Sequence, residues 1–412
     1  MPIDPTRARR LIVAAAVVGL ALRLAFSLGY WVEKPLTHDE REYLALARSL
    51  SLGKGFAYEL PPQPADTLRF GRAPGYPVFL ALTGAGLREF DATPARVKIA
   101  QSIVGALGVW LIGAIARRAA GPRAGVAAAF IAAVYPPLVW ICAYVFSEAL
   151  SSTMALAAVL LLNAAIDRGR SGAATGALAG VVTGCAALVR PATAFFVPIA
   201  SLWLLVRRRA LLAVILAAGV LVVVVPWTIR NVRVYHRVVL IASEGGVTFW
   251  TGNHPLAWGE GDMAANPGIK VADIAFRRQH PGLTPEELEP LYYRDAIDYI
   301  VTHPAWWLGL LLKKAFYTVV PAGPSYALHS PLYRVSSMLS YLILLPFAIL
   351  GAMAWRRGPH RPEALLPLAG SAVIVCILFF PQERFRIPVI DPALIVCAGV
   401  WYASRAREIN EI

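Results

Sequence analysis

The sequence predicts an all-α, polytopic membrane protein of about ten transmembrane helices forming one unit over residues 1–412. Three observations carry that expectation. Of the 412 residues, 58% are hydrophobic and only 16% charged, which is too apolar for an ordinary soluble surface. The apolar residues gather in runs that approach or reach the length of a bilayer crossing. Most arginines sit in short clusters between those runs, the pattern that orients membrane proteins. The net charge of +14 therefore belongs to topology and anionic lipid headgroups, and nucleic acid is not an expected partner. Cys142, Cys185, Cys376 and Cys397 lie singly in apolar segments without CxxC spacing, so neither a zinc site nor a disulfide framework is indicated.

In chain order, the first run is Leu11 to Tyr30, preceded by Arg7, Arg9 and Arg10. It resembles a signal peptide but is too long for a typical apolar core of one, and reads as an uncleaved span. Six further runs follow: Val97 to Ala116, Ala124 to Val139, Phe146 to Ile166, Ala173 to Val189, Thr193 to Val206 and Ala210 to Trp227. Three close the chain: Val335 to Trp355, Ala364 to Phe380 and Pro388 to Ala403. Threaded alternately, they put Arg117/Arg118/Arg123, Arg168/Arg170, Arg207 to Arg209, Arg356/Arg357/Arg361 and Arg405/Arg407 on the side of the N-terminal arginines. That side is the cytoplasm, with both termini, in a multi-pass protein of the cell membrane.

Two long segments, 31–96 and 228–332, then face outward and should hold interfacial helices. The stretch Ala305 to Pro321 tests the threading. Were it a span, Lys313 and Lys314 would sit at the bilayer centre at a cost of about 2.5 to 3.5 kcal/mol each, so it reads as interfacial or re-entrant. A helix should precede it, opened by Thr284, Pro285 and Glu287 and broken at His303-Pro304. Small-residue runs such as Gly172 to Gly184 suit close helix packing in lipid.

The first outer segment opens with Thr37-His38-Asp39-Glu40-Arg41-Glu42-Tyr43. A helix from His38 would line up Tyr43, Leu46, Ala47 and Leu50, with Asp39 one turn earlier, and Gly53 and Gly55 would stop it. Its apolar face is expected on the membrane. Thr37 and Glu40 form a capping box, which accounts for Glu40 without excluding a functional Asp39. Like-charge repulsion between these adjacent acids should raise the pKa of one of them. Glu148, at the start of a span, is a second acid beside hydrocarbon. Arg23, Arg72, Arg190, Arg230, Lys313, Arg384 and Arg386 stand at apolar boundaries, where snorkelling to headgroups competes with a substrate role. Arg384 and Arg386 concentrate positive charge at the outer end of a span, as a lipid-phosphate site would need. His38 and His254 lack partners at metal-ligand spacing.

In order, the chain presents Arg23, Asp39-Glu40 with Tyr43, Leu52-Gly53-Lys54-Gly55-Phe56, and Arg72-Ala73-Pro74-Gly75-Tyr76-Pro77. Then come Tyr135-Pro136, Ser147-Glu148, Arg190-Pro191, Pro226-Trp227 with Arg230-Asn231, Gly252-Asn253-His254-Pro255, His303-Pro304 with Lys313, and Arg384-Phe385-Arg386-Ile387-Pro388. This ordered set resembles the GT-C superfamily of membrane glycosyltransferases, among them the bacterial relatives of the dolichyl-phosphate-mannose protein mannosyltransferases and the lipid A aminoarabinose transferases. The resemblance implies transfer of a sugar, with inversion, from a polyprenyl-phosphate carrier to an extracytoplasmic lipid, glycan or protein. It maps the first-loop acids onto Asp39 and Glu40 and the second-loop acid onto Glu148. It maps the lipid-phosphate contacts onto Lys313, Arg384 and Arg386, with Arg72 as a further substrate-binding candidate.

The chain lacks a WWDYG-type signature and a DxD pattern, which argues against a metal-dependent oligosaccharyltransferase; no cofactor is implied, and a divalent metal stays open. Phosphate is a good leaving group, so one carboxylate suffices as base, and that role falls to Asp39. The alternatives are a transporter or flippase for a lipid-linked solute, and a polysaccharide ligase with a pyrophosphate-linked donor. Transporters place ionisable groups near the midplane within repeats, whereas here they cluster at the outer boundary.

Overall fold

The computed structural model describes residues 4–57, 71–88, 90–357 and 363–411; Arg361 and part of the segment 31–96 lie outside them. The described residues contain eighteen α-helices and no strand, only an isolated bridge between Pro35 and Ala92 that closes the neck of the first polar segment. The helices are α1 (Pro5–Ala25), α2 (His38–Ser51), α3 (Gly75–Leu82), α4 (Ala95–Ala120), α5 (Pro122–Val134), α6 (Pro136–Trp140), α7 (Glu148–Arg168), α8 (Ala173–Val189) and α9 (Phe196–Val206). There follow α10 (Ala210–Tyr235), α11 (Gly245–Asn253), α12 (Pro267–Gln279), α13 (Pro285–Thr302), α14 (Pro304–Val319), α15 (Pro331–Arg357), α16 (Leu365–Leu378), α17 (Glu383–Arg386) and α18 (Ile390–Glu411).

Every apolar run read from the sequence is helical. Among the described residues, five helical stretches are long and apolar enough by length and composition to cross a bilayer, or six counting α5 and α6 as one bent span. Glu148 at the start of α7 pairs with Arg190 just beyond α8, so these two helices double back on one another as antiparallel neighbours, while the helices at Pro191–Val206 and Leu365–Leu378 are shorter. The stretch around Lys313 is α14, which is not among the crossing helices. It exposes Leu308, Leu312, Phe316 and Val319 along one side, as an interfacial helix would.

The main core packs α1, α4, α5, α7 and α18 through small and branched residues such as Ala15, Ile112, Ala129, Leu156 and Val396. Arg23 neither snorkels nor faces solvent; it is buried. Pro136 and Pro137 have no N–H, so the carbonyls of Ala132 and Ala133 lose their helical donors and the span bends by 64°. Arg23 replaces those donors: Nη2 reaches the Ala132 carbonyl and Nη1 the Ala133 carbonyl, each at 3.4 Å. A buried charge thus satisfies the broken backbone.

The two ends of the bundle are tied differently. At one end Arg118 bonds Asp167 and Glu363, Arg209 bonds the Ile166 carbonyl, and Arg123 bonds the Ala406 carbonyl. These arginines therefore share one end, as alternate threading requires. At the other end meet α2, α3, α11 and α17 with the start of α7 and the close of α8.

Candidate functional site

The capping box expected at the start of α2 is present: the Thr37 N–H donates to Glu40 Oε2 at 2.8 Å, and the Thr37 hydroxyl accepts from the Glu40 N–H. The other Glu40 oxygen accepts from the Val145 N–H at 2.8 Å, tying α2 to the turn before α7. Both oxygens of Glu40 are thereby taken by backbone. The helix ends at Leu52, and Gly53 takes φ +71°, a left-handed conformation that glycine adopts freely. Its apolar face differs from the membrane-facing expectation. Tyr43, Leu44 and Ala47 pack against Tyr76 and Leu80 of α3 and against Val97, Val145 and Val189. Protein, not lipid, covers that face, which fixes Asp39 over the ends of α4, α7 and α8.

Asp39 sits between two guanidiniums. Arg72 Nη2 donates to Oδ1 at 2.7 Å, and Arg384 Nη1 donates to Oδ2 at 3.0 Å. These two arginines hold the carboxyl below the usual carboxylate range although burial alone would raise it. The repulsion expected from Glu40 does not lift Asp39, because the two carboxylates face different partners.

Arg72 is itself enclosed by acids. Nε donates to Glu42 at 2.8 Å and Nη1 to Glu244 at 3.0 Å, while the guanidinium lies 5.1 Å from the centre of the Tyr43 ring. It holds Asp39, Glu42 and Glu244 together. Glu244 precedes α11, and burial pushes its carboxyl above the usual range despite Arg72.

Glu148 opens α7 and accepts from Arg190 Nη1 at 2.9 Å. Arg190 lies over one region of the Phe385 ring at 4.9 Å, and Arg384 contacts the same ring at 5.3 Å and that of Phe146 at 5.0 Å. Asp39 and Glu148, which spacing could not bring together, thus share one cluster through Arg384, Phe385 and Arg190. Asp262 completes it, 3.7 Å from Arg384 Nη2 and bonded by Gln382.

The two other residues expected at the phosphate have different surroundings. Arg386 turns inward, 2% exposed, with Nη2 donating to the Tyr326 hydroxyl at 3.1 Å and its guanidinium 4.0 Å from the Tyr341 ring centre. Lys313 is exposed on α14, its Cβ beside Gly259. The neighbouring Lys314 is the buried one; it donates to Asn253 Oδ1 at 2.9 Å and to the Leu378 carbonyl. Gly252-Asn253 is consequently a structural joint, since a Cβ on Gly252 would lie 2.0 Å from the Phe379 carbonyl oxygen. Glu244 and Asp262 were not named in the sequence, and Glu42 and Phe385 only as members of longer stretches. Only Glu42 carried a signal, lying three residues beyond Asp39 on one helix.

The family profile described as dolichyl-phosphate-mannose-protein mannosyltransferase matches residues 72–229. No curated protein matches the sequence. Among solved structures, the archaeal oligosaccharyltransferase AglB from Archaeoglobus fulgidus, in complex with an inhibitory peptide and a dolichol-phosphate, is similar. Its TM-score is 0.56 at 14% identity, over 98% of this chain and 52% of that one. The apo form of the Archaeoglobus fulgidus enzyme gives a TM-score of 0.54 at 14% identity, over 97% and 50%. ArnT from Cupriavidus metallidurans bound to undecaprenyl phosphate aligns with a TM-score of 0.40 at 16% identity, over 98% and 79%. The chain spans about half the length of the Archaeoglobus structures. What is shared is the fold: a helical membrane fold of the GT-C type.

Proposed function

We propose that this GT-C-type membrane protein transfers a sugar from a polyprenyl-phosphate carrier to an acceptor hydroxyl, with inversion, at the Asp39 cluster on the extracytoplasmic side. The observation that carries this reading is a carboxylate, Asp39, bonded by Arg384 and neighboured, across Phe385, by the Glu148–Arg190 pair. The dolichol-phosphate in the AglB complex and the family matched over residues 72–229 support a polyprenyl-phosphate donor.

Transfer requires three things of the chain. A carboxylate must take the acceptor proton as the acceptor oxygen bonds the anomeric carbon; Asp39 serves as this base. The anomeric carbon–oxygen bond to phosphate breaks with its electrons leaving on the phosphate, and Arg384 and Arg190 meet that charge. Guanidinium suits this task because its forked N–H groups match phosphate oxygens in pairs. Glu148 orients Arg190 and, beside the cluster, the sugar. Arg72 fixes the acids, and Lys313 and Arg386 stand outside the reacting centre in this reading.

The test is release of polyprenyl phosphate from a labelled polyprenyl-phosphate-sugar pool, in membranes carrying the wild type or Asp39→Asn. Release by the wild type alone is expected. No release from any donor by well-folded protein overturns the reading in favour of transport or of a pyrophosphate-linked donor.

A further inference from the structure

The ion pair that holds Asp39 occupies the group a donor phosphate needs. Arg384 spends all three nitrogens inside the site: Nε donates to Gln382 Oε1 at 3.0 Å, Nη1 donates to Asp39 Oδ2 at 3.0 Å, and Nη2 lies 3.7 Å from Asp262 Oδ2. The rings of Phe146 and Phe385 lie against the guanidinium at 5.0 Å and 5.3 Å. A phosphate that engages a guanidinium through two parallel bonds needs one of its forked edges. The Nη edge is the one now shared by Asp39 and Asp262, and Nε is held by Gln382.

Asp39 is the partner able to let go. Its other oxygen is bound by Arg72 at 2.7 Å, and Arg72 is anchored in turn by Glu42 and Glu244. Releasing Arg384 leaves Asp39 in place with Oδ2 bare. We propose that Arg384 is a latch, held by Asp39 in the donor-free protein and drawn onto the carrier phosphate in the donor complex, so that donor arrival frees the carboxylate that takes the acceptor proton. This rests on the glycosyltransferase reading and adds to it an order of binding, donor before acceptor.

The charges facing Asp39 agree with it. Arg72 precedes α3, Arg384 comes from α17, Glu42 and Tyr43 from α2, and Glu244 from the start of α11, while Glu148 and Asp262 act on Arg384 from α7 and from the loop before α12. Arg72 and Arg384 both lower the Asp39 carboxyl, so removing one strengthens the base. Before the donor arrives, acceptor and water alike meet a carboxylate too weak to deprotonate them readily.

The experiment measures binding of undecaprenyl phosphate, without sugar, to purified full-length protein in nanodiscs. The variants are Asp39→Asn, Arg384→Gln and the two combined. The latch requires Asp39→Asn to bind about tenfold more tightly than wild type, since the competitor for Arg384 is weakened. Arg384→Gln should bind more weakly, and in that background Asp39→Asn should change nothing. Equal tightening by Asp39→Asn with and without Arg384 would reduce the effect to plain charge repulsion and overturn the latch; so would no tightening at all. If Arg384→Gln fails to fold, Arg384→Lys replaces it: charge without the fork should shrink the effect of Asp39→Asn, and an undiminished effect overturns the proposal. Absence of binding to wild type and every variant condemns the donor reading itself, which separates the two failures.

Discussion

Replacing Arg72 with methionine removes the cation that Asp39, Glu42 and Glu244 share. The side chain of Arg72 is 9% exposed, and those of Asp39, Glu42 and Glu244 are 24%, 6% and 22% exposed. Removing one member of a buried ion pair costs about 3–5 kcal/mol. Water screens Asp39 and Glu244 in part and Arg384 still holds Asp39, so a loss of about 3 kcal/mol is expected at neutral pH. The sign of its pH dependence follows from the shifts. Arg72 lowers the carboxyls of both Asp39 and Glu244, so its loss raises both. A group with a depressed folded pKa lends stability above its unfolded pKa and withdraws it as pH falls through the folded value. In the variant that contribution is missing from the outset, so its deficit against wild type should shrink on acidification, as the stranded acids protonate. The assay is the thermal unfolding midpoint of protein in nanodiscs at about pH 7.5 and about pH 4.5. Arg72→Met with Glu244→Gln should recover part of the loss by removing one stranded charge. A deficit equal at both pH values, or a double variant no better than the single, would refute the clamp.

Other outcomes follow from the same structure. Arg23→Met leaves the Ala132 and Ala133 carbonyls without donors at the bend, at about 1–3 kcal/mol each, and should lower the unfolding midpoint at every pH; an unchanged midpoint would remove Arg23 from that role. Burial holds the Lys314 ammonium down to about 7, so the unfolded chain binds the extra proton between there and its ordinary value of 10.5. Wild-type stability should gain a term that rises through that window, and Lys314→Met should lose it. Gly252→Ala drives a Cβ into the Phe379 carbonyl and should destabilise the joint between α11 and α16 by about 1–3 kcal/mol, read as a drop in midpoint with folded yield. In sugar transfer, the acid limb of the rate measured at low donor, where the free protein dominates, should lie below the ordinary carboxylate range and move upward in Arg384→Lys. A limb unmoved by that change means Asp39 is not the titrating base.

What was legible in the sequence was whatever a period or a cap determines. Thr37 with Glu40, and Thr284 with Glu287, mark helix starts that the structure contains, and all the long apolar runs are helical. These depend on neighbours within a turn. The membrane face assigned to α2 was misread because periodicity says which residues share a face and not what covers it; α3 does. Ionic partners were the least legible, since they are chosen where helix ends from distant parts of the chain meet. Arg72 binds acids from α2 and from the start of α11, and nothing in either stretch points to the other.

Arg384 and Arg386 show where the limit lay and how it bears on mechanism. Read as a pair at the outer end of a span, two arginines separated by one residue look like a single phosphate site. Residues Glu383–Arg386 instead form a helical turn, in which positions two apart point about 200° away from each other. One arginine must then face the cluster and the other the interior, and Tyr326 and Tyr341 take Arg386. That division leaves Arg384 alone between the carboxylate and an incoming phosphate, with Arg190 across the Phe385 ring as the second cation. On the proposed mechanism a single guanidinium with two claimants cannot serve both at full strength, and the competition between base and donor then comes from the turn that carries Arg384.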